Sequence, residues 1–350
     1  MSKSANNEKN SKGVSFIGAL ENIISNLPQR SQEIIWSRYG IDGTGVATLE
    51  EIGRKFGITR ERVRQVIREV CKKVKARSQS SVLSEVREKI MFTLSSNDGI
   101  MEEEKLLSAL GNADRKQKGA ARFFLECLNE VEEFEIRNIT EKSFRMPGFD
   151  EAGWKNVKNE VVEILKKKNS PLTEKSLFEE FSKTEIGKNI DKGMLFNYLA
   201  VSTEIKRNTF GKWGLSKWKE VNPKGTRDKA YLVLKENGEP MHFKDIASEI
   251  DKSGLNKKKT HPQTVHNELI KDKKFVLVGR GIYALAEWGY EKGTVKDVLE
   301  DILKKHAEAM TREEIIKEVL KVRQVKKSTV IINLNNYFKK TKEGTYSMKK

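Results

Sequence analysis

The stretch TLEEIGRKFGITRERVRQVIREV, residues 48–70, predicts two helices joined by a tight turn. Thr48 and Glu51 have the spacing of a capping box, in which each side chain accepts a hydrogen bond from the other residue's backbone N–H, so a helix begins there. Gly57 and Ile58 supply the turn, and Thr59 caps the next helix. This helix–turn–helix spacing is typical of domains that set their second helix in the major groove of DNA.

The second helix separates into an apolar stripe and a polar face when its residues are placed at about 100° intervals. The apolar stripe, predicted to face the core, consists of Val63, Val66, Ile67 and Val70. The polar face consists of Arg60, Glu61, Arg64, Gln65 and Arg68. Arginine can hold guanine with two hydrogen bonds, glutamine pairs with adenine and glutamate accepts from cytosine, so this face suits base edges. The alternative interpretation is an ordinary basic surface helix.

Other side chains around this face suit phosphate groups, whose contacts add affinity without carrying sequence information. We assign this role to Thr48, Arg62, Arg68, Lys72 and Lys73, and Lys75 is placed similarly.

Charge is distributed unevenly along the chain, whose net charge is +17. Residues 53–77 contain ten Lys or Arg and two acidic residues, whereas 82–150 contain ten basic and fourteen acidic residues. The later segments are positive again, with +5 over 154–223, +3 over 224–291 and +7 over 292–350. A polyanionic partner is therefore expected to meet the two ends of the chain and to avoid the segment between them.

A chain of 350 residues, with 37% hydrophobic and 33% charged residues, is long enough for two or more domains with large polar surfaces. It has no apolar run near the roughly 20 residues that a membrane span needs, and we expect no membrane partner. Residues 1–13 are polar and predict a disordered lead rather than a secretion signal. We therefore expect a cytoplasmic, nucleoid-associated protein.

The two cysteines, Cys71 and Cys127, form no CxxC pattern and predict neither a disulfide framework nor a zinc site. A reducing cytoplasm is the default for such a chain. Cys71 flanks the second helix and is interpreted as a small packed residue, with a redox sensor as the alternative.

The longer stretch 27–75 contains a Leu-Pro lead, the element RYGIDG, and TLEEIG followed by FGITRERVRQ. It resembles region 4 of the primary-type bacterial sigma factors. The resemblance implies binding to the −35 promoter element and docking on the flap of the RNA polymerase β subunit. It also implies that the −35 readers are Arg60, Glu61, Arg64 and Gln65, and that Thr59 lies near a phosphate, as a helix N-terminus favours.

This sequence departs from the family pattern at 66–68, where Val-Ile-Arg replaces the usual continuation. No stretch resembles region 2 of sigma factors, so a complete sigma factor is not predicted.

The rest of the chain repeats one pattern four times, at spacings of 71, 69 and 69 residues. The anchors of the pattern are Met101, Leu172, Met241 and Met310. Seven residues before each anchor stands Leu94, Leu165, Leu234 or Leu303. Five residues after it stands Leu106, Leu177, Ile246 or Ile315, and nine after it stands Leu110, Phe181, Ile250 or Val319. Such agreement predicts four copies of one structural unit.

Each copy predicts three helices followed by alternating β-type sequence, which together make a winged helix. Copies two and three resemble the HARE-type helix-turn-helix, the winged-helix fold of the polymerase delta subunit's N-terminal domain, at 210–218 and 279–288. Copies one and four have poorer wing sequences. We predict a mainly α chain with a disordered lead (1–13), a helix-turn-helix domain (14–80) and winged-helix repeats at 82–150, 154–222, 226–290 and 293–350.

Secondary DNA candidates lie on the third helices of the last two repeats. They are Gln263, His266, Asn267, Lys271, Asn333 and Asn336, with Lys340 placed on the same helical face as the two asparagines. Groove reading and simple solvation both fit these side chains. Core or wing packing is favoured over base stacking for the aromatic residues Trp213, Trp218, Tyr283 and Trp288.

Enzyme chemistry is not predicted, because the sequence has no P-loop, GxSxG or HExxH pattern and its four histidines lack metal-ligand spacing. We expect no cofactor, metal or small-molecule substrate. The leading hypothesis is a DNA-binding bacterial transcription protein with double-stranded promoter-like DNA and the core polymerase as partners. One alternative is a polymerase-associated protein, similar to the delta subunit, that does not read DNA sequence. Another is a general nucleoid or defence-system DNA binder without site preference.

Overall fold

The computed structural model describes residues 14–76, 81–290, 293–306, 309–323, 325–341 and 344–348. The chain divides into two compact units, unit 1 (Met1–Lys206) and unit 2 (Arg207–Lys350). The predicted disordered lead at 1–13 lies outside the described residues.

Unit 1 begins with the helix-turn-helix module, whose helices are α1 (Phe16–Ile24), α2 (Gln29–Tyr39), α3 (Leu49–Phe56) and α4 (Arg60–Ala76). The predicted capping box is present, since Thr48 Oγ1 accepts from the Glu51 N–H at 3.2 Å and Glu51 Oε2 accepts from the Thr48 N–H at 2.7 Å. Gly57 ends α3 in the left-handed conformation, with φ of 62°. Thr59 Oγ1 then accepts from the Arg62 N–H at 3.1 Å and caps α4. The turn predicted from sequence is therefore confirmed.

In the described residues, four repeats of three helices and short strands follow, and the boundary between the two units falls within the strands of repeat 2. Repeat 1 contains α5 (Ser81–Ser95), β1 (Ile100–Glu102), α6 (Glu103–Gly111), α7 (Arg115–Cys127), β2 (Glu132–Phe134) and β3 (Ser143–Arg145). Repeat 2 contains α8 (Glu151–Lys168), α9 (Glu174–Phe181), α10 (Lys192–Val201), β4 (Ile205–Arg207) and β5 (Trp213–Leu215). Repeat 3 contains α11 (Thr226–Asn237), β6 (Met241–His242), α12 (Phe243–Lys252), α13 (Pro262–Lys271), β7 (Phe275–Gly279) and β8 (Ile282–Leu285). Repeat 4 contains α14 (Val295–Lys305), β9 (Met310–Thr311), α15 (Arg312–Val322), α16 (Lys327–Tyr337), β10 (Phe338–Lys340) and β11 (Thr345–Met348).

The repeated sequence positions form the cores of these repeats. All twelve side chains that recur before and after the anchors are buried, from Leu94 in repeat 1 to Val319 in repeat 4. Repeats 1 and 4 have antiparallel wings despite their poorer wing sequences. The prediction of a mainly α chain with a helix-turn-helix domain and tandem winged helices is therefore confirmed.

The anchors of repeats 1, 3 and 4 lie in a short strand and not in the helix that follows. This strand pairs antiparallel with the last strand of the wing, so that Met101 lies opposite Phe144, Met241 opposite Tyr283, and Met310 opposite Tyr346. The anchor thus joins the helical part of each repeat to its wing, which explains why it recurs at the same position.

The helix-turn-helix module and repeat 1 share one hydrophobic core within unit 1. Apolar residues of α1, α2 and α4 pack with those of α5, α6 and α7, and the largest among them include Phe16, Tyr39, Phe123 and Phe124. Helix α4 contributes Val70 and Val74 to this core. The first repeat therefore packs against the C-terminal half of α4 through Val70 and Val74.

Repeat 1 also packs against α8 and α10 of repeat 2. Trp154 on α8 is fully buried, contacts Phe134 edge-to-face and donates from Nε1 to the Tyr198 carbonyl at 3.1 Å. Asn197 Nδ2 on α10 donates to the carbonyls of Asn97 and Ile100 at 2.6 and 2.7 Å. Because buried polar groups need such partners, these bonds hold the two repeats in one arrangement.

Candidate nucleic-acid interface

The polar face of α4 lies over a buried valine stripe. Val63, Val66 and Val70 are 0%, 9% and 3% exposed, and Ile67 is partly buried. The structure brings together the four predicted base readers, Arg60, Glu61, Arg64 and Gln65, all exposed on one side of the helix. The separation of stripe and face that the sequence predicts is thus present in the fold.

Glu61 and Arg64 form a two-point ion pair on this face. Arg64 Nε and Nη2 donate to the two carboxylate oxygens of Glu61 at 2.9 and 2.7 Å. Both side chains remain about half exposed, so water competes with the pair. The Arg64 guanidinium holds the pKa of Glu61 below its ordinary value. The pair fixes the guanidinium fork on the outside of the helix, where a base edge or a phosphate can replace the carboxylate.

A second contact orients Gln65 on the same face. Arg62 Nη1 donates to Gln65 Oε1 at 3.2 Å and lies 3.7 Å from a carboxylate oxygen of Glu69. Gln65 can still donate from its amide nitrogen and accept through its second lone pair, which are the two functions needed to pair with adenine. Among the described residues, no hydrogen bond or ion pair engages the side chains of Arg60 and Arg68. These two cations are available to an outside anion.

The predicted phosphate contacts surround this face at both ends of α4. Arg62, Arg68, Lys72 and Lys73 are all exposed along the helix. Thr59 is exposed at the helix start, beside backbone N–H groups that carry partial positive charge. Thr48 is exposed too, but its hydroxyl is already used in the capping box, since it donates to Glu51 Oε2 at 2.8 Å. A phosphate at Thr48 would have to share or displace that bond.

Gly53 sets how closely α3 approaches the turn, and sequence reasoning did not single it out. A Cβ atom at this position would lie 2.7 Å from the Ile58 carbonyl oxygen, closer than real side chains allow. A glycine in the middle of a helix otherwise costs stability relative to alanine, and that cost is the signal that could have identified it. The close approach positions the first turn of α4.

The prediction that the cysteines form no disulfide is wrong. Cys71 on α4 and Cys127 at the end of α7 are bonded to each other, with 4.9 Å between their Cα atoms and 56 residues between them in sequence. The physical reason is that α4 packs across α7 in the shared core, which brings two residues without any sequence relationship to one crossing point. Beside this bond, Lys75 Nζ donates to Asn129 Oδ1 at 2.5 Å.

The secondary candidates of repeat 3 are partly engaged with each other. Gln263, Asn267 and Lys271 are exposed on α13, and Gln263 Nε2 donates to Asn267 Oδ1 at 3.3 Å. His266 is only partly exposed, because its ring lies against Phe243, with centroids 4.5 Å apart, and near Tyr283. The helix therefore presents three polar side chains outward, while the histidine packs between the helix and the wing.

The candidates of repeat 4 lie in a different setting. Asn333 is partly buried, and its Nδ2 donates back to the Thr329 carbonyl at 2.8 Å within α16. Asn336 is exposed. Lys340 is not on this helical face as predicted, because α16 ends at Tyr337 and Lys340 lies in β10. Asn333 uses its amide inside the helix, so it is the weakest of the secondary candidates.

The aromatic residues of the wings contribute to the cores, as the sequence favours. Trp213 and Tyr283 are 5% and 2% exposed. Trp218 and Trp288 are partly buried, and Trp288 packs against the core of repeat 3. Base stacking on Trp213 or Tyr283 would require the wing to open.

Two further kinds of feature are absent from the part of the chain that the structure describes. Within it, no group of three His, Cys, Asp or Glu side chains could hold a metal ion. No described helix is both long enough and apolar enough to cross a bilayer.

A helix-turn-helix with an exposed Arg-Glu-Arg-Gln face, followed by winged helices, defines a class of DNA-binding proteins. Residues 23–76 match the family "Sigma-70, region 4", and residues 226–288 match the HARE-HTH family, the "ASXL, restriction endonuclease HTH domain". The resemblance to sigma region 4 and that of copy three to the HARE-type domain are thereby confirmed, while the resemblance of copy two stays a prediction. The matched families are DNA-binding and transcription-factor domains, and each matches one segment of the chain.

Several sigma factors are similar to the N-terminal part of the chain. RNA polymerase sigma factor SigA of Microcystis aeruginosa and that of Synechocystis are each 39% identical over 66 residues, which cover 19% of this chain and 16% of theirs. SigA of Listeria monocytogenes is 38% identical over 69 residues, 20% of this chain and 18% of its own length. The chain thus spans less than a fifth of the length of these relatives.

Proposed function

We propose that α4 lies in the major groove of −35-type promoter DNA and reads base edges through Arg60, Glu61, Arg64 and Gln65. One observation supports this above the others. These four side chains, each able to bond a base edge, are exposed together on the second helix of a helix-turn-helix that matches sigma-70 region 4. A solvated basic helix needs no such combination of arginine, glutamate and glutamine on one face.

Arg64 exchanges partners when it binds DNA in this proposal. Its bond to Glu61 is an exposed i,i+3 ion pair, and such a pair contributes little because water and salt screen it. A bidentate contact to guanine gives about 1–3 kcal/mol of discrimination. The exchange is therefore favourable at a guanine, and the released Glu61 carboxylate can accept from a cytosine N4 amino group.

Phosphate contacts fix the register of α4 in the groove. Arg62, Arg68, Lys72 and Lys73 extend along the exposed side of the helix, and Thr59 lies at its start. These contacts add affinity for any duplex and carry no base preference.

The test compares a −35-type duplex with a scrambled duplex of the same length by fluorescence anisotropy at one fixed salt concentration. Arg64→Ala should weaken binding to the −35-type duplex by about 1–3 kcal/mol and reduce the ratio between the two affinities. Arg137→Ala is the matched control, because Arg137 is an exposed arginine in the acidic repeat 1. Equal affinity of the unmodified protein for the two duplexes would show that α4 does not read sequence.

RNA polymerase is the second partner we propose, because sigma region 4 is associated with both DNA and polymerase in general. The apolar side of α1, α2 and α4 is covered by repeat 1, so docking on the β flap through that side would require repeat 1 to separate. We therefore propose that polymerase contacts surfaces outside the shared core. A pull-down of core polymerase with the triple variant Arg60→Ala, Arg64→Ala and Gln65→Ala should retain the complex. Loss of the complex would place polymerase binding on the DNA-reading face instead.

Repeat 3 supplies an additional DNA contact in this proposal. Gln263, Asn267 and Lys271 present polar groups from α13, the helix that occupies the reading position of a winged helix. Replacing all three with alanine should weaken binding to long duplexes and leave binding to a short −35-type duplex unchanged. A change on the short duplex alone would contradict this assignment.

A further inference from the structure

Both cysteines of the chain lie where the recognition helix crosses the first winged-helix repeat. Cys127 is fully buried at the end of α7, whereas Cys71 is partly exposed on α4. Their bond joins the helix that we propose reads DNA to the first winged-helix repeat. The two sulfur atoms therefore differ in access to reagents from solution.

A basic groove surrounds the exposed side of Cys71. It has a volume of about 360 Å³ and is lined, besides Cys71, by Arg64, Ile67, Arg68, Lys72, Lys75 and Glu126. Four cations thus face a single carboxylate, and that carboxylate accepts a hydrogen bond from the Tyr39 hydroxyl at 2.6 Å. Nearby positive charge favours the thiolate form of a cysteine, which is the nucleophilic form, and partial exposure admits the oxidant. A structural cysteine in an apolar core has neither property.

We propose that Cys71 is an oxidation-sensitive thiol, that hydroperoxides are its oxidants, and that Cys127 is its resolving partner. The Cys71 thiolate attacks one peroxide oxygen, the O–O bond breaks, and the departing hydroxide takes a proton to become water. Cys71 is left as a sulfenic acid. The Cys127 sulfur then attacks the Cys71 sulfur, the S–O bond breaks, and the hydroxide leaves with the Cys127 proton as a second water. Two thiols and one hydrogen peroxide thus become one disulfide and two waters.

DNA and oxidation compete at this groove, and this part of the inference rests on the proposed function. Arg68 and Lys72 are the cations that we assign to phosphate groups, and they also favour the Cys71 thiolate. A phosphate backbone over α4 would neutralise these charges and cover the groove. Bound DNA should therefore slow the oxidation of Cys71, and the disulfide should form mainly in protein that is free of DNA.

The first experiment uses the full chain, reduced and without DNA. Hydrogen peroxide should produce a monomer lighter by two hydrogens, in which the peptides containing residues 71 and 127 are linked. In Cys127→Ala, Cys71 should accumulate as a sulfenic acid that dimedone labels, whereas Cys71→Ser should take no label at Cys127. If the reduced unmodified chain forms no such link, or if Cys127 is labelled before Cys71, the proposal is wrong. The unmodified chain gives this answer even if a variant fails to fold.

The role of the groove is tested by its charge. In the Cys127→Ala protein, where the sulfenic acid persists, Lys72→Gln should slow dimedone labelling of Cys71 about two- to threefold, because it removes one nearby positive charge. Lys116→Gln is the matched control, since Lys116 is exposed near the start of α7, about 16 Å along that helix from Cys127. Beyond a Debye length its charge should have no measurable effect on Cys71. Equal slowing by both variants would contradict a specific role for the groove.

The last experiment repeats the peroxide reaction with a saturating −35-type duplex. Oxidation should be at least about tenfold slower than without DNA, because the groove is covered. If Cys71 oxidises normally without DNA and bound DNA does not slow the reaction, DNA does not cover α4. In that case the proposed function fails and the thiol chemistry stands. Absence of oxidation without DNA would overturn the thiol chemistry and leave the proposed function intact.

Discussion

Replacing Gly119 with alanine should loosen the contact between α7 and the helix-turn-helix module. Gly119 lies on α7 against α2, and a Cβ atom there would lie 2.2 Å from the Tyr39 carbonyl oxygen. Real Cβ contacts do not fall below 3.0 Å, so α7 would have to retreat by about 0.8 Å. The displacement acts on backbone atoms, so a change of side-chain rotamer cannot relieve it.

The expected loss follows from the contacts at this crossing. Overpacking costs about 1–3 kcal/mol, and breaking the Tyr39–Glu126 hydrogen bond, which involves a charged acceptor, costs about 1.5–3 kcal/mol. The better helix propensity of alanine recovers about 1 kcal/mol. The free energy of local opening should therefore fall by about 1.5–5 kcal/mol.

Hydrogen exchange of α4 and α7 amides, measured by mass spectrometry on the reduced chain, reports this opening free energy locally. Gly18→Ala in α1 is the control, since Gly18 is exposed and its Cβ would meet the side chain of Ser15, which caps α1, at 3.3 Å. This change should leave the opening free energy of α4 and α7 within about 0.5 kcal/mol of that of the unmodified chain. A loss below about 0.5 kcal/mol for Gly119→Ala would refute the close approach of α7 and α2.

Three further outcomes are expected. Glu61→Gln should strengthen binding to a scrambled duplex about fivefold, because it removes a negative charge from the DNA-facing side and releases Arg64; weaker binding would contradict this. Lys72→Ala should reduce the slope of log affinity against log salt by about 0.9 without changing base preference, as titrations of both duplexes would show. The hydrogen bond from the Thr48 N–H lowers the pKa of Glu51 below its ordinary value of 4.5. The ionised Glu51 therefore stabilises the start of α3 above pH 4.5, and this stabilisation is lost as the pH falls through the pKa of Glu51 in the folded chain. Exchange of α3 amides should accelerate on acidification in the unmodified chain and respond less in Glu51→Gln.

Local signals predicted the parts of the fold that local interactions determine. The capping box, the Gly57 turn and the Thr59 cap involve residues within about four positions of one another, so their chemistry is readable in sequence. The repeats are readable because each copy buries the same leucine, for example Leu94 in repeat 1.

Other features depend on contacts between distant segments and could not be read in the same way. The anchor strands are two or three residues long, too short to show an alternating pattern. The Cys71–Cys127 bond depends on the crossing of α4 and α7, which no spacing in sequence specifies. Helix α1 was not predicted either, and its apolar residues are buried largely by packing against the same repeat. The folded unit, and not the local sequence, thus determines which face of a helix is buried.

The common core of the helix-turn-helix module and repeat 1 limits which fragment could be transferred to another protein. A graft that ended at residue 76 would leave Phe16, Tyr39 and Val70 without the partners that bury them. At about 25 cal/mol for each Å² of apolar surface uncovered, such a fragment would be prone to aggregation. The smallest fragment that keeps this core therefore extends from residue 14 to at least Met146, so that α7 and the wing of repeat 1 stay with α4. In any fusion protein, repeat 1 would be a structural part of the helix-turn-helix module and not a spacer that follows it.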